Sequence, residues 1–129
     1  MIKTTLGTVP LLLLGILGLA PSIQPVWAIG TIYIRADGAI DPAWARELIS
    51  TIDNVTYTLT AQINQSIVVE RNSILVDGAG YSVQGTGVYD SKGIYLSGIS
   101  NITVKNVEIR AFGYGVYFDR SSGNTVSTN

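Results

Sequence analysis

From Val55 onward the apolar residues alternate with polar ones in short runs, each closed by Gly, Asn, Asp or Ser. Val55–Leu59, Ser66–Glu70, Ser73–Asp77 and Tyr81–Gln84 all follow this rhythm. A period of two over four or five residues predicts a β-strand with one face buried. Asp77-Gly78-Ala79-Gly80 and Gly85-Thr86-Gly87 are turn signals between such runs. Upstream, Thr31–Arg35 alternates in the same way, with Ile32 and Ile34 on one face and Tyr33 and Arg35 on the other. Asp41-Pro42 reads as a helix N-cap followed by proline at the first helical position. A helix of two turns is therefore predicted from Pro42 to Ser50, with Trp44, Leu48 and Ile49 on one face.

The strands repeat. Gly93–Val107 aligns with Gly115–Asn129 at a shift of 22, and five of the fifteen positions are identical: Gly93/Gly115, Tyr95/Tyr117, Ser100/Ser122, Thr103/Thr125 and Val104/Val126. An earlier copy aligns Ser73–Asp77 with Asn101–Lys105 at a shift of 28, with the extra residues expected in a loop near Val88–Lys92. A period in the low twenties built from short strands is the signature of a β-solenoid. Each turn would hold about three strands and three bends at ~3.3 Å per strand residue. Ile94, Leu96, Ile102, Val104, Val107 and Ile109 are expected to point inward, followed in the next turn by Val116, Phe118 and Val126. Asn and Gly suit the bends because they tolerate the left-handed backbone conformation.

The segments DGAGYSVQG at Asp77–Gly85, GIYLSGISNITVKNVEI from Gly93 and GVYFDRSSGNTVS from Gly115 resemble the right-handed parallel β-helix proteins. This is the pectin-lyase-like superfamily, and particularly its NosD-like repeats. The resemblance covers about Val55–Asn129. It implies an all-β, right-handed parallel β-helix of about three coils at 55–129, preceded by a short N-terminal cap at 29–54 that includes one helix. The right-handedness comes from the resemblance and not from the spacing.

The first 28 residues have the layout of a secretory signal peptide. Lys3 supplies the charged start, Leu6–Ala20 is apolar, and Val26-Trp27-Ala28 puts small residues before a cleavage point after Ala28. The other reading is a membrane anchor, but the apolar run falls short of the ~20 residues a spanning helix needs. Cleavage removes Lys3 and leaves seven positive and nine negative side chains. A secreted or extracytoplasmic location, in the periplasm or at the cell surface, is expected, with no membrane span after cleavage.

Composition excludes much chemistry. The chain has no Cys and no His. Disulfides, thiolate or imidazole metal sites, and Ser-His or Cys-His catalysis are therefore ruled out. The family label of the NosD-like repeats suggests copper, but copper prefers His, Cys and Met, and the one Met is Met1, which leaves with the signal peptide. No metal and no cofactor is expected. The near-neutral balance of eight basic and nine acidic residues argues against nucleic acid.

Two kinds of function remain. Tyr95 and Tyr117 are equivalent across one repeat and should stack on the outer face, with Tyr89 and Tyr114 near the same edge. Such a ladder offers flat apolar area with hydroxyls at its rim, a platform for sugar rings. It would also steady neighbouring turns by a few tenths to ~1 kcal/mol without binding anything. The expected function is thus a non-catalytic scaffold that binds a glycan or a cell-surface protein. The alternative is a polysaccharide-active enzyme of the kind the resemblance includes. Its candidate carboxylates are Asp77, Asp90, Glu108 and Asp119, with Arg110 and Arg120 as basic partners, but no carboxylate pair recurs at the repeat spacing. Asn54, Asn64 and Asn101 head glycosylation sequons, and Asn101 is equally a bend residue. No C-terminal cap is visible, so a continuation past Asn129, or self-association through the last turn, is expected.

Overall fold

The computed structural model describes residues 30–127. The predicted signal peptide lies outside them. The described chain is all-β, with twelve short strands and one 3-10 helix: β1 (Thr31–Ile34), β2 (Ile40–Asp41), the helix Ala43–Glu47, β3 (Ile49–Ser50), β4 (Thr56–Leu59), β5 (Ser66–Val69), β6 (Leu75–Asp77), β7 (Ser82–Gln84), β8 (Lys92–Ser97), β9 (Thr103–Lys105), β10 (Glu108–Arg110), β11 (Tyr114–Asp119) and β12 (Thr125–Ser127). Among these residues no helix is long and apolar enough to cross a membrane.

The strands form three sheets. One has the order β11-β8-β5-β1-β2, a second β12-β9-β6-β4-β3, and a third β10-β7. Pairing is parallel throughout except at the two edges, where β2 runs antiparallel to β1 and β3 antiparallel to β4. Consecutive strands from β4 onward fall in different sheets, so in-sheet neighbours are three strands apart in sequence.

The registers follow the sequence repeat. Ile94 pairs with Val116 and Val104 with Val126, the 22-residue shift read from the sequence. Leu75 pairs with Thr103 and Asp77 with Lys105, the 28-residue shift. On the third sheet Ser82 pairs with Glu108, 26 residues on. The drop from 26 to 22 places four additional residues in the connection from β7 to β8, where the sequence predicts a loop.

These registers align like side chains into columns. Ile32, Ile67, Ile94 and Val116 form one, and Ile34, Val69, Leu96 and Phe118 the next. Tyr57, Val76, Val104 and Val126 form a third. Members from Ile32 through Leu96 and from Tyr57 through Val104 are fully buried in one continuous apolar core. Each Ile, Leu or Val so buried stabilises the fold by about 1.5–3 kcal/mol. Phe118 and Val126 stand on the same face but are 45% and 43% exposed. The alternation predicts them inside; no described strand stacks beyond them to cover them.

Bends recur at matching places. Ser73, Asn101 and Gly123 all adopt the left-handed conformation, with φ of 59°, 61° and 66°. Ser73 N–H donates to Ser100 O, and Asn101 N–H to Ser122 O. Asn101 is therefore a bend residue, the second of the two roles its sequence allows.

The N-terminal region differs from expectation in two respects. First, β1 pairs in parallel with β5 and so belongs to the sheet of the repeats, although the sequence groups it with the cap. Second, the two-turn helix from Pro42 to Ser50 is a single 3-10 segment between two two-residue strands. Asp41 does not cap it; Pro42 holds the cap position without a side-chain bond. The Asp41 carboxylate instead accepts from Arg35 Nε and Nη2, at 3.0 and 2.6 Å. A stretch this short gains too few bonds to nucleate an α-helix, and the sheet edges satisfy its flanks instead. Ile40, Ala45 and Ile49 are buried, and Trp44 and Leu48 pack against the same core. The excursion thus covers the β1 and β4 end of the core.

Candidate functional site

On the outward face of the first sheet, the column between the two buried ones is Tyr33, Val68, Tyr95 and Tyr117. Parallel strands ~4.8 Å apart hold in-register rings within stacking reach. The rings of Tyr95 and Tyr117 lie 5.6 Å apart, tilted by 38°. Tyr114, at the start of β11, meets Tyr117 edge-on at 5.1 Å. Three of the four tyrosines singled out in the sequence are therefore one cluster. Tyr89 is not part of it. It stands in the β7–β8 loop, 88% exposed, and its ring contacts no other ring among the described residues. What brings that loop near is its backbone, packed so closely on Gly113 that a side chain there would strike the Tyr89 carbonyl.

Lys92 completes the cluster. Its ammonium sits 4.8 Å from the Tyr117 ring centre, 5.6 Å from Tyr114 and 5.9 Å from Tyr95, within range of the negative ring faces. Its hydrogen bond goes to the Asp90 carbonyl at 3.2 Å, and among the described residues it pairs with no carboxylate. Sequence reasoning missed Lys92, because a lysine opening a strand after a loop carries no periodic signal. Tyr33 was missed as well; it alternates correctly with Ile32 and Ile34 but falls in the segment assigned to the cap. The Arg35 guanidinium lies 4.0 Å over its ring.

The next outward column is polar: Ser97 and Asp119 pair in register. Asp119 Oδ2 accepts from Arg120 Nη2 at 2.7 Å, from Ser97 Oγ at 3.3 Å and from Tyr95 Oη at 3.5 Å. Of the candidate carboxylates only Asp119 touches the tyrosine cluster. Asp77 is on the second sheet and Glu108 on the third, where it meets Arg110 at 3.5 Å. Asp77 accepts from the Ala79 N–H at 2.9 Å and from Asn106 Nδ2 at 3.1 Å. The Ala79 bond, then the Asn106 bond, hold its carboxyl below the ordinary range against a small desolvation cost. These are the marks of a turn-holding residue. Among the described residues no group of three or more His, Cys, Asp or Glu side chains could hold a metal ion.

Comparison with protein-family models, with curated proteins and with solved structures finds no match for this chain. The functional reading therefore rests on the geometry.

That geometry offers an aromatic surface with a cationic centre and a hydroxyl-carboxylate rim. Beside it, at the corner between the third and first sheets, an open groove of about 290 Å³ is lined by Asn64, Ser66, Thr86, Val88, Ser91 and Phe112. Ser91 also fixes the β7–β8 loop to the next strand, accepting from Gly113 N–H at 3.2 Å on its hydroxyl and from Tyr114 N–H at 2.8 Å on its carbonyl.

Proposed function

We propose that the chain is an exported, non-catalytic β-solenoid scaffold that binds a glycan, or a glycan-bearing surface protein, through the Tyr95–Tyr117–Tyr114 face. The solenoid reading is supported by parallel pairing at a near-constant shift, by three sheets visited in turn, and by bends that recur in register. The right-handed form and the kinship with pectin-lyase-like, NosD-like repeats rest on the motifs at Asp77–Gly85, Gly93–Ile109 and Gly115–Ser127. Export rests on the N-terminal 28 residues.

The observation that carries the binding reading is the half-exposed tyrosine cluster around Lys92. Flat rings on a rigid sheet pack the C–H faces of a pyranose with little entropy lost on binding. Ser97, Asp119 and Lys92 stand at the margin of those rings, where sugar hydroxyls need partners.

A glycan array on the full chain tests this. Retention of a defined glycan set, lost in the Tyr95→Ala/Tyr117→Ala variant and kept in Tyr89→Ala, is the expected result. Turnover of a polysaccharide without tyrosine-dependent retention would support the enzyme alternative and overturn this reading.

A further inference from the structure

The same tyrosines have a second chemical property that a binding role does not use. Tyr95 and Tyr117 occupy equivalent positions on adjacent parallel strands, so their phenols extend in the same direction with ring centres 5.6 Å apart. The near-parallel tilt of 38° brings like edges of the two rings alongside each other. Tyr114 touches Tyr117 at 5.1 Å and is 43% exposed, so it connects the inner pair to solvent. Tyr95 Oη lies 3.5 Å from Asp119 Oδ2, a carboxylate able to take a phenolic proton. Phenols lose an electron and a proton together, and two phenoxyl radicals held side by side couple at the carbons ortho to oxygen.

We propose that Tyr95 and Tyr117 are an oxidative cross-linking site, forming an intramolecular dityrosine that ties β8 to β11. The oxidant is a one-electron acceptor of the haem peroxidase class, with hydrogen peroxide as the terminal oxidant. Each phenol gives one electron to the oxidant and one proton, from Tyr95 to Asp119 and from Tyr117 to water. The two radicals join through one new C–C bond, and the two ring hydrogens displaced by it move to the oxygens as the rings become aromatic again. The balance is two tyrosines plus one H2O2 giving one dityrosine plus two H2O. The product is two hydrogens lighter than the starting chain. This inference does not depend on the glycan reading, since it concerns the covalent chemistry of the two rings alone.

The test treats the full chain, at low concentration, with a haem peroxidase and hydrogen peroxide, followed by trypsin and mass spectrometry. Cleavage after Lys92, Lys105, Arg110 and Arg120 yields Gly93–Lys105, with Tyr95, and Ala111–Arg120, with Tyr114 and Tyr117. The expected product is a monomer carrying these two peptides joined, with dityrosine fluorescence. Tyr95→Phe and Tyr117→Phe, which keep the ring and hence the stacking, should abolish the link. Tyr114→Phe and Tyr89→Phe should keep it. Cross-links only between chains, survival of the link in Tyr117→Phe, or no coupling while free tyrosine couples in the same reaction would each overturn the proposal.

Discussion

The hydroxyl of Tyr57 donates a 2.7 Å hydrogen bond to the carbonyl of Gly38, in the fully buried interior of the core. Nineteen residues separate them, and the β2–helix–β3 excursion lies in between. The excursion is therefore tied to the repeats from inside the core. It is also held from outside, by Arg71 donating to Ala36 O at 2.7 Å and to Asn54 O at 2.9 Å.

Tyr57→Phe leaves the Gly38 carbonyl buried without its donor. The expected loss is about 1–2 kcal/mol, because an orphaned buried acceptor costs more than a hydrogen bond nets. Urea melts check the size. Hydrogen exchange should show the loss concentrated in residues 36–55, and a uniform loss across the repeats would contradict the tether. Burial also raises the pKa of this phenol, so the bond should persist into the alkaline range where exposed tyrosines ionise.

Ile94 is the centre of a buried column between Ile67 and Val116. Ile94→Ala should cost about 2–5 kcal/mol, the range for a buried aliphatic truncation that leaves a cavity. Phe118→Ala, at a half-exposed position of the neighbouring column, should cost clearly less. Thermal melting of the two variants checks the order; equal losses would mean that the columns do not set stability.

Much of the fold is legible in the sequence because alternation and period act on the same residues. Ile94, Leu96, Ile102 and Val104 alternate within a row and recur between rows, so the residues alone specify both face and register. The parallel partnership of β1 with β5 is not legible, since the excursion separates Thr31 from Ser66 by far more than one repeat. Nor are the bends at Ala79, Ala111 and Arg120, which carry positive φ without being Gly or Asn. There the strand pairings on either side dictate the backbone, and propensity gives way. In the site, Tyr95 and Tyr117 stand out by their repeat, while Lys92 reaches the rings from the end of a loop whose length breaks the period.

The turn after β6 contains two opposite glycine effects. A methyl group on Gly78 would collide with the Asn106 carbonyl oxygen and come within 2.5 Å of the Val107 Cβ. Gly78→Ala should therefore cost about 1–3 kcal/mol through overpacking. At the next residue, Ala79 sits at φ 52° and is exposed. Ala79→Gly removes a left-handed strain of about 1–2 kcal/mol and adds about 0.5–1 kcal/mol of glycine entropy, so a small net gain is expected. Chemical denaturation should thus give changes of opposite sign one residue apart.

Acid should weaken the fold through Asp77 and Asp53. Backbone N–H donors, Ala79 for Asp77 and then Thr56 and Val55 for Asp53, depress both carboxyls below their unfolded values. The sign follows from the depression: the stabilisation is complete above the unfolded pKa and disappears as pH falls through the lower folded one. Asp77→Asn should be less stable than the parent near neutrality, and the difference should close below about pH 3. A constant gap across that range would assign the effect to packing rather than charge.

The four additional residues between β7 and β8 leave the pairing on both sides undisturbed. A row of this protein can thus change length at a corner while its neighbours keep their alignment. Loop size and core are inherited separately, and this corner, beside the tyrosine face, is where a foreign peptide could be spliced and displayed without rewriting the interior.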